Sequence, residues 1–248
     1  MLAVSKMTIK KIIKKAAKNK SVTEEYYLQL YKTYYARSRV EKENLWSDMY
    51  QFNGPITVNG VTKQVEGKKI QAFIKSHLMT TQRQRCCYCK RYLVSSGHAR
   101  HVEHVLPGSV YPQYVFMLRN LAVSCVECNL LKTKDVWWAL ASTSLKYPIP
   151  DKLRTCFHPN IDTYDSEIRF VRISTNHFSF SCYYGLTDKG RHLCKELLSK
   201  VSHKELILAN DTVMNDAITK VANFSAGFTA SSETEKFLMG IYDYLARR

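Results

Sequence analysis

The chain lacks any run of about 18 apolar residues, the length that a membrane-spanning helix needs. We therefore expect no membrane-spanning segment. It also lacks a recognisable secretory leader, so we expect a reducing, cytoplasmic environment in which the eight cysteines do not form disulfides. Internal repeats and low-complexity tails are absent too. With 248 residues and 45% hydrophobic residues, the chain can bury a core as one large domain or as a core with elaborations.

Acidic residues are scarce, since 21 Asp and Glu stand against 37 Lys and Arg, for a net charge of +16. This surplus indicates a polyanionic partner, nucleic acid first and an anionic membrane surface second. A basic protein that is merely soluble is the plainer alternative. The imbalance by itself does not choose between them.

The first 23 residues contain no acid and seven lysines. Within them Ile9, Ile12, Ile13, Ala16 and Ala17 recur at the spacing of one helix face. Three interpretations stay open for this helix: a grip on backbone phosphates, an ordinary surface helix, or a targeting peptide. The last ranks lowest, because targeting peptides favour Arg and Ser over Lys.

Four of the cysteines form two Cys-x-x-Cys knuckles, Cys86/Cys89 and Cys125/Cys128. Two such pairs supply the four thiolates that tetrahedral Zn²⁺ prefers, and a fully sulfur-ligated zinc is structural because it leaves no position for water. The loop between the knuckles is longer than in a minimal zinc ribbon, so it carries an insertion. The remaining cysteines are interpreted as a spare within the first knuckle and as small core residues: Cys87, Cys156, Cys182 and Cys194.

The segment 86–132 resembles the zinc-stapled form of the HNH endonuclease family, also called the ββα-metal nucleases. The family pattern is a knuckle, an acidic residue followed by His, then Asn-Leu, and a second knuckle followed by Asn and, three residues later, Lys. Here these positions are Cys86 and Cys89, Glu103-His104, Asn120-Leu121, Cys125 and Cys128, Asn129, and Lys132. The match covers about a fifth of the chain. More loosely, the segments 101–104 and 157–159 resemble HNH effectors of bacterial anti-phage systems of the Septu and retron-associated types.

This resemblance implies an α+β fold, with a ββα-metal (HNH) core stapled by a four-cysteine zinc site. Helices would flank the core on its N-terminal side, and a hairpin followed by helices on its C-terminal side. We expect a basic, mostly helical region over residues 1–80, the nuclease core with its zinc site over 81–165, and the β-hairpin and C-terminal helices over 166–248.

The resemblance also implies a metal-dependent endonuclease that hydrolyses DNA, with RNA as the open alternative. His104 would be the general base, because a neutral imidazole accepts a proton near neutral pH. Glu103 and Asn129 would hold a catalytic Mg²⁺ or Mn²⁺, since both offer hard oxygen ligands. Lys132, one turn beyond Asn129, would reach a phosphate oxygen. Asn120 would brace the loop that carries the base.

Plainer alternatives stay open for these residues. They are a buried strand histidine for His104, a helix N-cap for Asn129, a solvated side chain for Lys132 and an ordinary turn residue for Asn120.

The relation between Glu103 and His104 raises a geometric difficulty. Neighbours on a regular strand point to opposite faces, so these two share a site only if the strand ends or twists there. His101 lies on the same strand face as Glu103 and could join the ligands. His158, in Phe-His-Pro-Asn, could face the site or be structural.

Two further functions compete with a free-standing nuclease. One is a non-catalytic zinc-ribbon module that binds nucleic acid, although such a module has no need of Glu103, His104 and Asn129 together. The other is a nuclease that acts only when docked on a partner, such as an ATPase of a defence complex, or as a homo-oligomer. It adds to the nuclease hypothesis, because the flanks exceed what an HNH core needs and could bind a partner or self-associate.

The rest of the chain has clear periodicities. A helix with a tyrosine stripe is predicted from Glu24, its tyrosines packing in the core or, less plausibly, stacking on bases. Other predictions are a hairpin turning at Asn59-Gly60, a helix over 70–78, a solvated segment 82–85, a helix from Cys128 through Trp138, a hairpin over 166–184, a helix from Thr187 to about Val201, and separate helices over roughly 203–223 and near 237–245.

Overall fold

A computed structural model describes residues 8–17, 24–93, 100–138, 140, 144–148, 150–153, 155–174 and 179–209. Within them the chain is mixed α and β, with small two-stranded antiparallel sheets. The helices are α1 (Ile9–Ala17), α2 (Glu24–Glu41), α3 (Trp46–Gln51), α4 (Gly67–Thr81), α5 (Val126–Lys132), α6 (Tyr164–Glu167), α7 (Asp188–Leu193) and α8 (Ser199–Ala209). The strands are β1 (Asn53–Val58), β2 (Val61–Glu66), β3 (His101–His104), β4 (Leu121–Ser124), β5 (Ile168–Ser174) and β6 (Ser179–Gly185).

The chain forms two compact units. The first comprises residues 1–129 and 133–149, and the second residues 130–132 and 150–248. The expected region boundaries after residues 80 and 165 do not coincide with this division, so the three-region scheme stays a prediction. In the described part of the chain, no helix is long and apolar enough to cross a membrane.

Helix α2 supplies much of the core of the first unit, and the tyrosines of its predicted stripe, Tyr27, Tyr31 and Tyr34, are buried as the core interpretation predicted. Tyr27 packs edge-on against Phe73 of α4, with ring centroids 5.4 Å apart. Tyr31 is buried as well, and its hydroxyl donates to the carbonyl of Phe116. Burial raises the pKa of the Tyr31 phenol, with the neighbouring Tyr35 adding to the effect.

The β1–β2 hairpin turns at Asn59-Gly60, as predicted. Both residues have positive φ, 51° and 77°, which is the conformation that a two-residue hairpin turn requires. The hairpin leads directly into α4, whose Ile70, Ile74 and Leu78 are buried as their helical spacing indicated. Helix α4 then delivers the chain to the first cysteine knuckle.

Strands β3 and β4 pair antiparallel, and α5 follows β4 directly, so this part of the chain runs strand, strand, helix. The prediction that the helix continues through Trp138 is wrong, because α5 ends at Lys132. Thr133 takes a positive φ of 50°, which no helix accommodates. Trp138 is buried beyond the helix end.

The second unit contains the β5–β6 hairpin, which pairs from Ile168↔Gly185 to Ser174↔Ser179. Thr187 caps α7 by accepting a hydrogen bond from the Gly190 N–H, as the sequence predicted. The prediction of a separate helix from about residue 203 is wrong, since α8 runs without a break from Ser199 to Ala209. The predicted turn at 176–177 and the helices beyond residue 209 lie outside the described residues.

Candidate functional site

The four knuckle cysteines form one buried cluster in the first unit. The sulfur atoms of Cys86, Cys89, Cys125 and Cys128 lie within 4.8 Å of one another. Zinc–sulfur bonds of about 2.3 Å in a tetrahedron place the sulfurs about 3.8 Å apart, and the Cys89 and Cys125 sulfurs are 3.8 Å apart. The donor set and its spacing therefore fit a zinc ion, with all four positions filled by sulfur.

Backbone groups hold the sulfurs in place. The N–H of Cys125 points at the Cys86 sulfur (3.4 Å), and the N–H of Cys128 at the Cys125 sulfur (3.4 Å). Burial raises the pKa of the Cys86 thiol, but hydrogen bonds from the surrounding thiols outweigh it and lower the pKa well below its usual value. The pKa of Cys125 is lowered as well, mainly by its hydrogen bond with Cys128, whereas hydrogen bonds within the cluster raise the pKa values of Cys89 and Cys128. The thiolate, which is the form that binds a metal, is therefore favoured at Cys86 and Cys125.

Cys87 differs from its neighbours. It is buried, and burial, with a hydrogen bond to Cys86, raises the pKa of its thiol well above the usual value. Its backbone N–H donates to the Val123 carbonyl at 3.0 Å, which ties the first knuckle to β4. Its sulfur is not among the clustered four, in agreement with its interpretation as a spare cysteine.

Strand β3 carries Glu103 and His104 at its end. Because side chains alternate along a strand, His101 and Glu103 share one face and His104 lies on the other. Strand β3 ends at His104. Glu103 and His104 were expected to share a site only if the strand ends or twists there, and the strand does end there. Glu103 is only 5% exposed, and its Oε1 accepts a hydrogen bond from the Tyr88 hydroxyl at 3.2 Å.

His104 is half-buried, and its Nε2 lies 3.1 Å from the Val115 carbonyl oxygen. A carbonyl only accepts, so Nε2 carries the proton and Nδ1 is the basic nitrogen of the neutral ring. The indole of Trp46 packs edge-on against the imidazole, with centroids 5.2 Å apart at 90°. These two contacts fix the tautomer and the orientation of the ring.

Asn120 is fully buried and bonds to the backbone just after His104. Its Oδ1 accepts from the Leu106 N–H at 2.8 Å, and its Nδ2 donates to the Leu106 carbonyl at 3.0 Å. The Tyr147 hydroxyl also donates to its Oδ1 at 3.2 Å. These are the contacts that a brace for the loop after the histidine requires.

Asn129 lies within α5, and the N-cap alternative for it is wrong because Cys125 occupies the N-cap. The Asn129 Nδ2 lies 3.3 Å from His101 Nδ1. The structure therefore brings Asn129 to the strand face that carries His101 and Glu103.

Lys132 ends α5 and is only 1% exposed, so the alternative of a solvated side chain is wrong. It belongs to the second unit, as does His158. His158 is fully buried, and its Nδ1 accepts from the Asn160 N–H at 3.2 Å while its own N–H donates to Asp162 at 2.7 Å. Burial, together with the charges of Lys189 and Lys132, lowers the pKa of His158 to about 3. These two hydrogen bonds and the burial are typical of a structural histidine.

Three contributors to the site went unrecognised in the sequence. Gln82, predicted to be solvated, donates to the Val123 carbonyl (2.7 Å) and accepts from its N–H (2.7 Å). Tyr88 lies inside the first knuckle, and a tyrosine between zinc-ligand cysteines was a signal that could have been used. Trp46 is 58 positions before His104, and nothing in the sequence links the two.

The sequence of the chain is similar to that of a curated protein. Over 161 residues the chain is 27% identical to Septu protein PtuB of Bacillus thuringiensis, which is 63% of this chain and 53% of that protein. The chain thus spans about half the length of the relative it matches. No known protein-family profile matches the chain, and no solved structure does. The likeness to PtuB supports the Septu-type resemblance expected from the sequence.

Proposed function

We propose that the protein is a metal-dependent endonuclease of the HNH type that hydrolyses DNA and serves in a Septu-type bacterial anti-phage defence. The observation that carries the proposal is the strand–strand–helix segment β3–β4–α5, tied to a four-cysteine cluster and carrying Glu103, His104 and Asn129. The defence role is supported by the likeness to a Septu protein.

In the proposed reaction His104 is the general base. A water oxygen bonds to phosphorus while its proton passes to the Nδ1 of His104, and the bond from phosphorus to the leaving sugar oxygen breaks. The leaving oxygen then takes a proton from solvent. The Val115 carbonyl and the Trp46 ring keep the imidazole oriented during the transfer.

A divalent ion would be held by Glu103 and Asn129, with His101 available on the same face. When bound, Mg²⁺ or Mn²⁺ supplies positive charge that stabilises the charge developing on the phosphate. We propose Lys132 as a contact for a phosphate oxygen. Its side chain is buried, so it must become accessible to contact the phosphate. The zinc would hold the knuckles together and take no part in the chemistry.

The test uses the purified full chain, supercoiled plasmid, and Mg²⁺ or Mn²⁺, beside a reaction without the divalent ion. Cleavage should need the ion and disappear in His104→Ala. The matched control is His203→Ala, which removes an exposed histidine of α8 and should cut as the wild type does. Cleavage that persists in His104→Ala would refute the assignment of the base.

A shift of DNA on a gel without cleavage would favour the non-catalytic zinc module or a nuclease that requires a partner. Purification of the tagged protein from its native host, followed by the plasmid assay on the recovered complex, separates these two. A partner such as an ATPase, or a homo-oligomer, would restore cutting only if the chain is a nuclease.

A further inference from the structure

A groove of about 850 Å³ lies in the first unit beside strand β3. Helices α3 and α4 form its walls, together with the segment from Arg100 to Val102 that begins β3. None of its lining residues belongs to the HNH pattern. The proposed reaction uses Trp46 and His101 of this groove and leaves the rest of its lining without a role.

Helix α4 turns one face to the groove. Lys68, Gln71, Ala72 and Lys75 follow the i, i+3, i+4, i+7 spacing of a single helical face, opposite the buried apolar face. Two turns of helix separate the two lysines by about 10.5 Å along the axis. This separation is larger than one phosphate group, so the two lysines are placed to contact different phosphates of a polymer backbone.

The charges of the groove are not balanced. Its described lining includes three cationic side chains and no carboxylate. The buried Nε of Arg100 finds no hydrogen-bond partner among the described residues. Burial lowers the pKa of Lys75, and electrostatic repulsion from the positive charge of Arg100 lowers it further. Lys68 differs, because it pairs with Glu66 at 2.8 Å.

The groove continues to the candidate site. His101, which contacts Asn129, and Val102 both line it. Trp46 lines it too and packs its ring against His104. A ligand in the groove would therefore lie next to the histidine and to the proposed ion ligands.

We infer that this groove binds the phosphodiester backbone of DNA beside the reacting phosphate, with Arg100 and Lys75 as the main phosphate contacts and Lys68 as a weaker third. Arg100 lines the groove and is half-buried, so the terminal N–H groups of its guanidinium can donate to a phosphate oxygen, and close cations without an acid are stabilised by a polyanion. The inference rests on the proposed function, since it assigns the groove to the substrate of that site.

The test is the salt dependence of DNA binding by the full chain. A fluorescent 20-base-pair duplex is titrated by anisotropy at several NaCl concentrations, with Ca²⁺ replacing Mg²⁺ or Mn²⁺ and without chelator, so that the zinc stays bound. Each phosphate contact contributes about 0.9 to the slope of log Kd against log salt. Lys75→Gln and Arg100→Gln should each flatten the slope by about that amount and weaken binding several-fold at low salt.

The matched control is Lys200→Gln, which removes an exposed lysine of α8 that does not line the groove and should leave the slope unchanged. Zinc content is measured for every variant to show that it is folded. Arg100 adjoins β3, so its substitution is the one that risks disturbing the fold. Lys75 is half-exposed on a helix, so the result for Lys75→Gln is sufficient to test the inference. A wild-type slope for Lys75→Gln overturns the inference.

Failure of the groove and failure of the nuclease give different results. If the wild type cuts plasmid while the groove variants bind DNA with unchanged slopes, the proposed function stands and the groove assignment falls. If the variants show the expected slope losses but the wild type never cuts, either alone or in the complex recovered from its native host, the groove stands and the nuclease proposal falls.

Discussion

Replacement of Asn120 is the sharpest test of how the histidine loop is held. The Asn120→Ala change would leave the N–H and the carbonyl of Leu106 without their side-chain partner in a fully buried position. A buried polar group left unpaired costs about 1–3 kcal/mol, so the first unit should lose about 2–6 kcal/mol. Endonuclease activity, where present, should fall with it, because the backbone after His104 is released.

The assay is urea unfolding followed by tryptophan fluorescence. All three tryptophans, Trp46, Trp137 and Trp138, lie in the first unit, so their signal reports on that unit. Zinc content is measured alongside, because the knuckles do not involve Asn120 and should stay loaded in the folded variant. A loss below about 1 kcal/mol would refute the idea that this amide braces the loop.

An Asn120→Asp variant adds a pH dependence. The carboxylate keeps the acceptor for the Leu106 N–H but faces the Leu106 carbonyl without a proton to donate. Burial raises the pKa of the new carboxyl above its unfolded value, so the folded state binds more protons than the unfolded state. Stability should therefore be greatest at acid pH and fall as pH rises through the folded pKa. A flat pH profile would show that the side chain is not enclosed.

The other predictions concern three separate features. Cys89→Ser should abolish the binding of one zinc per chain and lower the unfolding midpoint, whereas Cys87→Ser should keep the zinc; atomic absorption decides, and equal loss in both would contradict the four-cysteine assignment. In Lys75→Glu the new carboxylate should pair with Arg100, so the melting temperature should be kept or raised. The affinity for DNA should fall below that of Lys75→Gln. A loss of thermal stability together with the loss of affinity would contradict the assignment of the groove to DNA. Because the pKa of His158 is lowered to about 3, the unfolded state binds the extra proton below pH 6.5. The second unit should thus lose about 1.4 kcal/mol per pH unit as pH falls from 6.5, and His158→Gln should flatten this slope in hydrogen exchange.

Local signals in the sequence identified much of the fold. The Asn59-Gly60 turn was predictable because few residues accept positive φ. The buried face of α4 was predictable from its 3.6-residue period, and the Thr187 cap from its hydroxyl at the start of α7. Each of these features depends on residues a few positions apart. The spacing of the four knuckle cysteines belongs with them, because zinc ligation requires that spacing.

The features that could not be predicted depend on contacts between residues far apart in the sequence. The contact of Trp46 with His104, and the pairing of Gln82 with Val123, join positions separated by tens of residues. The end of α5 was missed because Thr133 adopts a positive φ that its residue type does not favour. Lys132 was expected to reach a phosphate oxygen or to be solvated, since a lysine is rarely buried, yet tertiary packing encloses its side chain.

The contacts of the Gln82 side chain have a consequence for the exposed edge that strand β4 would otherwise present. By donating to and accepting from Val123, it covers the outer edge of β4, and the Cys87 N–H of the first knuckle covers the same carbonyl. Leu121–Ser124 is a fully buried strand whose first three residues are apolar, and a strand edge of this kind is a template for pairing with other chains once it is uncovered. Loss of zinc would release the knuckle that helps to close this edge. We therefore expect the zinc-depleted chain to aggregate more readily than the zinc-loaded chain, which light scattering at equal protein concentration would measure.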